Sequence, residues 1–196
     1  MKIVEFKRTH INQVIEIHLC ELRTGVLTYF GRTFLEKMYN SILTENWGYI
    51  AVSDDEQEVY GFIFGLQNQV SLIKCLSSDA IIFFCMSILG DWRKAKAFWL
   101  TFLNLYFSHD LKVYPFENQR IELAHFAVKT GYKSVGIGIQ LIEQLEARAK
   151  LEGITSVFTR TNNCKLVNHY RTIKNAQVLI QLNLAMHNST TVAWKI

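Results

Sequence analysis

Gly131-Tyr132-Lys133-Ser134-Val135-Gly136-Ile137-Gly138 is the stretch that decides how this chain reads. Before it, Ile121 to Val128 is apolar and strand-like. After it, Ile139 to Lys150 carries helical spacing. A strand that feeds a glycine turn and then a helix leaves the first helical N–H groups without partners. With the positive end of the helix dipole, those donors form a site for an anion such as a phosphate. Gly136 and Gly138 carry no side chain, so an anion can approach the backbone closely.

Two better-known phosphate loops fail on spacing. The P-loop requires Gly-Lys-Ser/Thr after a four-residue gap, and no stretch here supplies it. The dinucleotide fingerprint requires a third glycine where this chain has Leu141. Outward from the turn, the following helix has one apolar stripe, Leu141, Ile142, Leu145 and Ala149. Gln140, Glu143, Gln144 and Arg148 lie opposite. Glu146 and Lys150 are spaced as a surface pair, and Gly153 follows as a C-terminal cap.

The rest of the chain supplies a coherent order. Ile3 to Lys7 reads as a strand; Asn12 to Leu22 and Arg32 to Leu43 read as helices. Tyr49 to Val52 and Val59 to Gln67 are strands about the acidic turn Ser53-Asp54-Asp55-Glu56. Val70 to Phe107 is a long apolar run, with a helix expected over Asp91 to Phe107. Thr155 to Thr161 is a strand and Lys165 to Ile173 a helix. Gln177 to Met186 and Thr191 to Ile196 form a hairpin over His187-Asn188-Ser189.

Composition narrows the function classes. The chain has 196 residues, 49% of them apolar and 19% charged, which supports one domain with a sizeable core. The net charge of +4 is scattered, so nucleic-acid binding is not indicated, whereas a small anionic ligand suits it. Cys20, Cys75, Cys85 and Cys164 form no close pair and read as free thiols. His10, His18, His109, His169 and His187 share no metal spacing, so no metal is expected. With no signal peptide or spanning run read at the N-terminus, the expected location is the cytoplasm.

The glycine turn, as Lys133-Ser134-Val135-Gly136-Ile137-Gly138, resembles the Arg/Gln-x-x-Gly-x-Gly/Ala motif of the GCN5-related N-acetyltransferase (GNAT) family. Lys133 departs from it, keeping the charge but losing the two-pronged geometry of arginine. The order of elements is also similar to the family's over the full length. The resemblance implies a mixed α/β (α+β) fold in a single domain over residues 1–196, with a helical insertion at about 70–118. Its central sheet would be mostly antiparallel, splayed in the middle and flanked by helices.

The resemblance further implies acetyl-coenzyme A (acetyl-CoA) as donor. Amides of Lys133, Ser134, Val135, Gly136, Ile137, Gly138 and Ile139 would hold its diphosphate. Phe126, Ala127 and Val128 would line its pantetheine arm. Asn163 and Tyr170 keep a spacing common in the family, with Asn163 near the cofactor and Tyr170 donating a proton to the leaving sulfur. Lys174-Asn175 stands where the family has Gly-Phe.

The general base is left between two residues. Glu122 is the first candidate by resemblance, and His125 the second because an imidazole titrates near neutrality. Three apart on one strand, they face opposite ways unless a bulge intervenes. Cys164 offers an acyl-cysteine route that direct transfer makes unnecessary. The activity implied is N-acetyl transfer to a primary amine of a small molecule through a ternary complex. The acceptor would be an amino sugar if the likeness of Phe30-Gly31-Arg32-Thr33-Phe34-Leu35 to surface-sugar enzymes holds. A non-catalytic acyl-CoA binding or sensing module and a nucleotide-phosphate binder are the alternatives. The apolar run 70–107 reads as core and acceptor-pocket wall, then as a homodimer interface, and last as a membrane-surface contact.

Overall fold

The computed structural model describes residues 1–23, 27–28, 31–45, 47–66, 120–133, 135–184 and 187–196. The expectations for the insertion at 70–118, the helix over 91–107 and the conformation of Ser134 lie outside these residues. The strands are β1 (Lys2–Glu5), β2 (Trp47–Val52), β3 (Val59–Leu66), β4 (Arg120–Val128), β5 (Ser156–Thr161), β6 (Gln177–Leu184) and β7 (His187–Lys195). The helices are α1 (Ile11–Glu21), α2 (Arg32–Glu45), α3 (Ile137–Leu151) and α4 (Cys164–Lys174). The strands form one sheet in the order β1-β2-β3-β4-β5-β7-β6. Every neighbouring pair is antiparallel except β4 and β5, which run parallel. This is the mixed, mostly antiparallel sheet expected from the sequence.

Period-two alternation gives each face of the sheet its own core. On one face Ile63, Ile121, Leu123, Val157 and Trp194 pack with the α3 stripe and with Tyr170 of α4. On the other, Ile50, Phe62 and Phe64 pack with Val14, Ile15 and Ile17 of α1 and Leu35, Met38 and Tyr39 of α2. The α3 stripe is buried as its spacing requires: Leu141, Leu145 and Ala149 are all fully covered. Helix α3 rests on the β3 backbone, since a Cβ built at Gly65 would come within 2.6 Å of Leu145 Cδ1. Leu145→Ala is therefore expected to destabilise the fold by about 2–5 kcal/mol, read as a lower urea midpoint at unchanged m-value.

Two sequence expectations need correction. Glu146 does not pair with Lys150. Its carboxylate turns inward, accepting from Trp194 Nε1 at 2.7 Å and Lys174 Nζ at 2.8 Å. That contact ties α3 to α4 and β7, a tertiary demand that helical spacing does not encode. His187, Asn188 and Ser189 are not a turn. They belong to β7, opposite Leu184, Asn183 and Leu182. Lys174-Asn175 ends α4 without the family's glycine. Asn175 takes the left-handed conformation (φ 50°), which asparagine tolerates better than most residues, and its neighbour Ala176 bonds back to the Tyr170 carbonyl.

Candidate active site

The pairing of β4 with β5 stops early. It runs from Arg120↔Ser156 to Leu123↔Thr159, and the Thr159 hydroxyl donates to the Leu123 carbonyl at 2.8 Å at the last rung. Beyond that rung β4 stays on β3 as far as Gly61↔Val128, and β5 stays on β7 as far as Thr161↔Thr190. The sheet forks there. Ala124 to Val128 have no strand partner on the β5 side among the described residues, so their outward N–H and C=O groups are open to a ligand.

The glycine turn lies after the end of β4. Gly136 is left-handed (φ 79°) and starts α3. A Cβ built on it meets nothing within 4 Å, so the space over the turn is open. Tyr132 N–H bonds to the Lys129 carbonyl, Val135 N–H reaches the Tyr132 carbonyl at 3.5 Å, and Ile139 N–H closes on the Gly136 carbonyl. The N–H groups of Lys133, Gly136, Ile137 and Gly138 have no backbone partner among the described residues. Gly138 is needed for another reason: a Cβ there would stand 3.0 Å from Phe126 Cζ, so the helix start seats directly on the strand. Phe126 packs on the α3 and α4 face, where Val128 is buried; Ala127, also buried, faces α1 and α2.

Lys133 extends from the turn but its charge is answered within the chain. Its Nζ is 2.7 Å from Glu21 Oε2, at the end of α1. The same carboxylate accepts from Thr130 N at 2.7 Å and Thr130 Oγ1 at 3.1 Å. Burial pushes the Glu21 carboxyl up, but the bonds from Lys133 and Thr130 outweigh it and leave it below the usual range. The sequence held no local sign of this link, which spans more than a hundred residues.

Tyr170 is 2% exposed and stacks on Trp194 with ring centroids 5.1 Å apart. Burial pushes its phenol up to about 12, so it keeps its proton at neutral pH. Asn163 caps α4: its side chain accepts from Lys165 N at 3.0 Å. Cys164, the first residue of that helix, is exposed and free, as is Cys20.

The two base candidates share one face, against the simple alternation rule. Phe64 pairs with His125 but Gly65 pairs with Leu123, leaving Ala124 as an extra residue. This bulge turns His125 toward α1 and α2, the face that Glu122 also occupies opposite Ile121 and Leu123. Glu122 is committed elsewhere. Arg160, the first β5 residue past the fork, donates to its Oε1 from Nε at 3.0 Å and Nη2 at 2.5 Å. His125 Nε2 is withdrawn from solvent and has no hydrogen-bond partner among the described residues, although the residue as a whole keeps partial exposure.

Two residues that the sequence reading did not select stand beside His125. His18 of α1 lies 6.0 Å away between ring centroids, and Tyr39 of α2 lies 6.4 Å away. His18 Nδ1 and the Tyr39 hydroxyl share a 2.6 Å hydrogen bond. Burial pulls the His18 imidazole down to about 4 and the His125 imidazole to about 3, helped by the neighbouring His18. Both are neutral in the fold and protonate near 6.5 when unfolded. Stability is then complete above pH 6.5 and is lost as pH falls toward 4, by about 1.4 kcal/mol per pH unit for each histidine. Urea unfolding at pH 7.5 and pH 5 checks this; equal midpoints would show that the two rings are not buried neutral.

Comparison with known proteins agrees with this geometry. The model of the acetyltransferase (GNAT) family matches residues 12–173. Among solved structures, the fold is similar to a ribosomal-protein-alanine N-acetyltransferase from Brucella melitensis (TM-score 0.63, 10% identity, 100% of both chains). It is also similar to an aminoglycoside 6'-acetyltransferase type Ii (TM-score 0.59, 16% identity, 100% of this chain and 97% of that one). A GNAT-family acetyltransferase from Staphylococcus aureus Mu50 gives 0.59 at 14% identity, over 99% of this chain and 98% of that one. No curated protein matches the sequence. The matched family consists of acyl-CoA-dependent acetyltransferases. The chain belongs to the GNAT family.

Among the described residues no helix is long and apolar enough to cross a membrane, and no group of three or more His, Cys, Asp or Glu could hold a metal ion.

Proposed function

We propose that this protein transfers an acetyl group from acetyl-CoA directly to a primary amine of a small molecule, in a ternary complex. The observation that carries the reading is the fork below Leu123↔Thr159 together with the amides of Gly136, Ile137 and Gly138, which have no backbone partner among the described residues. Those amides fit a diphosphate: they converge at a helix N-terminus, and the space over Gly136 is open. Lys133 lies on the same turn and adds positive charge when released from Glu21. The free edge of Ala124 to Val128 fits an amide-bearing arm laid along it as an extra strand would lie.

When bound, the cofactor supplies a thioester carbonyl. An uncharged amine would form the C–N bond as the C–S bond breaks, with its surplus N–H proton passing to the base and the leaving sulfur taking a proton from the acid. Tyr170, an un-ionised phenol on the α3 and α4 side, donates its O–H to that sulfur. An N–H near Val128 polarises the carbonyl. On the α1 and α2 side, His125 Nε2 is the free acceptor for the N–H of the incoming amine. Glu122 fits better as the partner that fixes Arg160 at the fork than as the base, because its Oε1 already holds two donors. Asn163 supports the site through the start of α4. An amino sugar is our first choice of acceptor, on the sequence likeness around Gly31.

The test is release of free thiol from acetyl-CoA across a panel of amines that includes nucleotide-linked amino sugars. Amine-dependent release supports the reading. Tight acetyl-CoA binding with no release for any amine would favour the sensing module.

A further inference from the structure

Glu21 sets a negative charge beside a turn that is built to take an anion. It is the last residue of α1, and its side chain is only 10% exposed. Two donors of Thr130 fix it: the backbone N–H on Oε1 at 2.7 Å and the hydroxyl on Oε2 at 3.1 Å. Lys133 Nζ reaches Oε2 at 2.7 Å, on a side chain that is 59% exposed. The acid is therefore held by the loop. The lysine, a flexible stem with a hydrated head, is the partner that can move.

Local helix chemistry does not account for this acid. It stands at the C-terminal end of α1, where the dipole disfavours a negative charge. Its carboxyl lies below the usual range, so it is ionised at neutral pH. What holds it there comes from the loop between β4 and α3, far away in the chain. Lys133 opens the motif whose amides form the proposed diphosphate cradle, three residues before Gly136. The nearby pair of Lys129 and Glu58 differs: both side chains are about half exposed, and neither residue belongs to the motif.

We propose that Glu21 is a built-in competitor of the cofactor's diphosphate: it holds the Lys133 ammonium until Lys133 exchanges it for the incoming anion. The proposal rests on the diphosphate reading above and adds a residue, outside the turn, that sets cofactor affinity. Thr130 keeps the carboxylate in place after the exchange, so a negative charge stays beside the ligand. Both effects act in one direction. They weaken acetyl-CoA and CoA alike, because the two share the diphosphate. Binding that is equal for substrate and product does not speed the chemical step, and excess affinity would slow the exit of CoA. Glu21 limits that affinity.

The experiment measures the Kd for CoA by calorimetry in the unmodified protein and in Glu21→Gln, Lys133→Met and Glu58→Gln. Glu21→Gln keeps an oxygen for the Thr130 N–H and removes the charge. It should bind CoA about 2–5-fold more tightly, the scale of one partly exposed ion pair. The gap should narrow as salt rises from about 50 mM to about 1 M, where the screening length falls to about 3 Å. Lys133→Met leaves the Glu21 charge unanswered and should weaken CoA by about 5-fold or more. Glu58→Gln changes the net charge equally but faces Lys129, and should bind as the unmodified protein does. A Kd for Glu21→Gln that is unchanged or higher would make Glu21 an anchor of the loop and overturn the proposal, with the diphosphate reading intact. Equal tightening in Glu58→Gln, or no effect of Lys133→Met, also overturns it. No binding of CoA by the unmodified protein would take both readings down. If Glu21→Gln does not fold, the ¹³C carboxylate resonance of Glu21 in the unmodified protein decides. It must shift saturably as CoA is added at constant pH, and a still signal overturns the exchange.

Discussion

Gly136→Asp should yield a protein that still folds, with a modest loss of stability, and binds acetyl-CoA about 10²-fold more weakly. The two effects separate because they have different causes. Gly136 needs a positive φ, which aspartate tolerates better than most residues, and a side chain there meets nothing within 4 Å. A carboxylate at the start of α3 suits the helix dipole, which offsets part of the strain of a side chain at this positive φ, so the melting temperature should fall only modestly. The amides at the start of α3 are the proposed diphosphate cradle, and the added charge repels the ligand from it. Charge-assisted backbone bonds contribute about 1.5–3 kcal/mol each, so the loss of one or two accounts for the expected change. Gly136→Asn is the neutral control and should lose less. Calorimetric titration of the folded variants checks the order; an unaltered Kd for Gly136→Asp would show that the diphosphate does not sit there.

Tyr170→Phe should lower kcat by roughly 10²–10⁴-fold, the range of a lost general acid, with the acetyl-CoA Kd close to unchanged. The ring fills the same space on Trp194, so the packing of the α3 and α4 core survives the substitution. Only the O–H is lost. Because burial holds this phenol protonated to about 12, the unsubstituted enzyme should show no loss of activity from Tyr170 ionisation below pH 10. Equal kcat for the two proteins would make Tyr170 a packing residue and move the proton source elsewhere.

Much of the fold was legible because it rests on local signals. The stripe of α3, the left-handed Gly153 after it and the strand alternation on both sides of the glycine turn follow from spacing and turn chemistry. The fork was legible only through resemblance, since no local pattern says where two strands part. What sequence reading missed is long-range. Glu146 turns to Trp194 rather than to Lys150, and Glu21 reaches across the molecule to Lys133. The Ala124 bulge could not be read from a strand that looks regular, and it decides which face His125 joins. His18 and Tyr39 read as ordinary positions of two apolar helix faces. Only their meeting at that bulge gives them a chemical setting.

The central claim is that main-chain amides at the start of α3 hold the diphosphate of acetyl-CoA beside the fork. A ¹⁵N amide titration with acetyl-CoA tests it directly. Saturable shifts are expected at Gly136, Ile137 and Gly138 and along Ala124 to Val128, with the far edge β1 still. Binding that moves β1 or β6 and leaves those amides in place would contradict it.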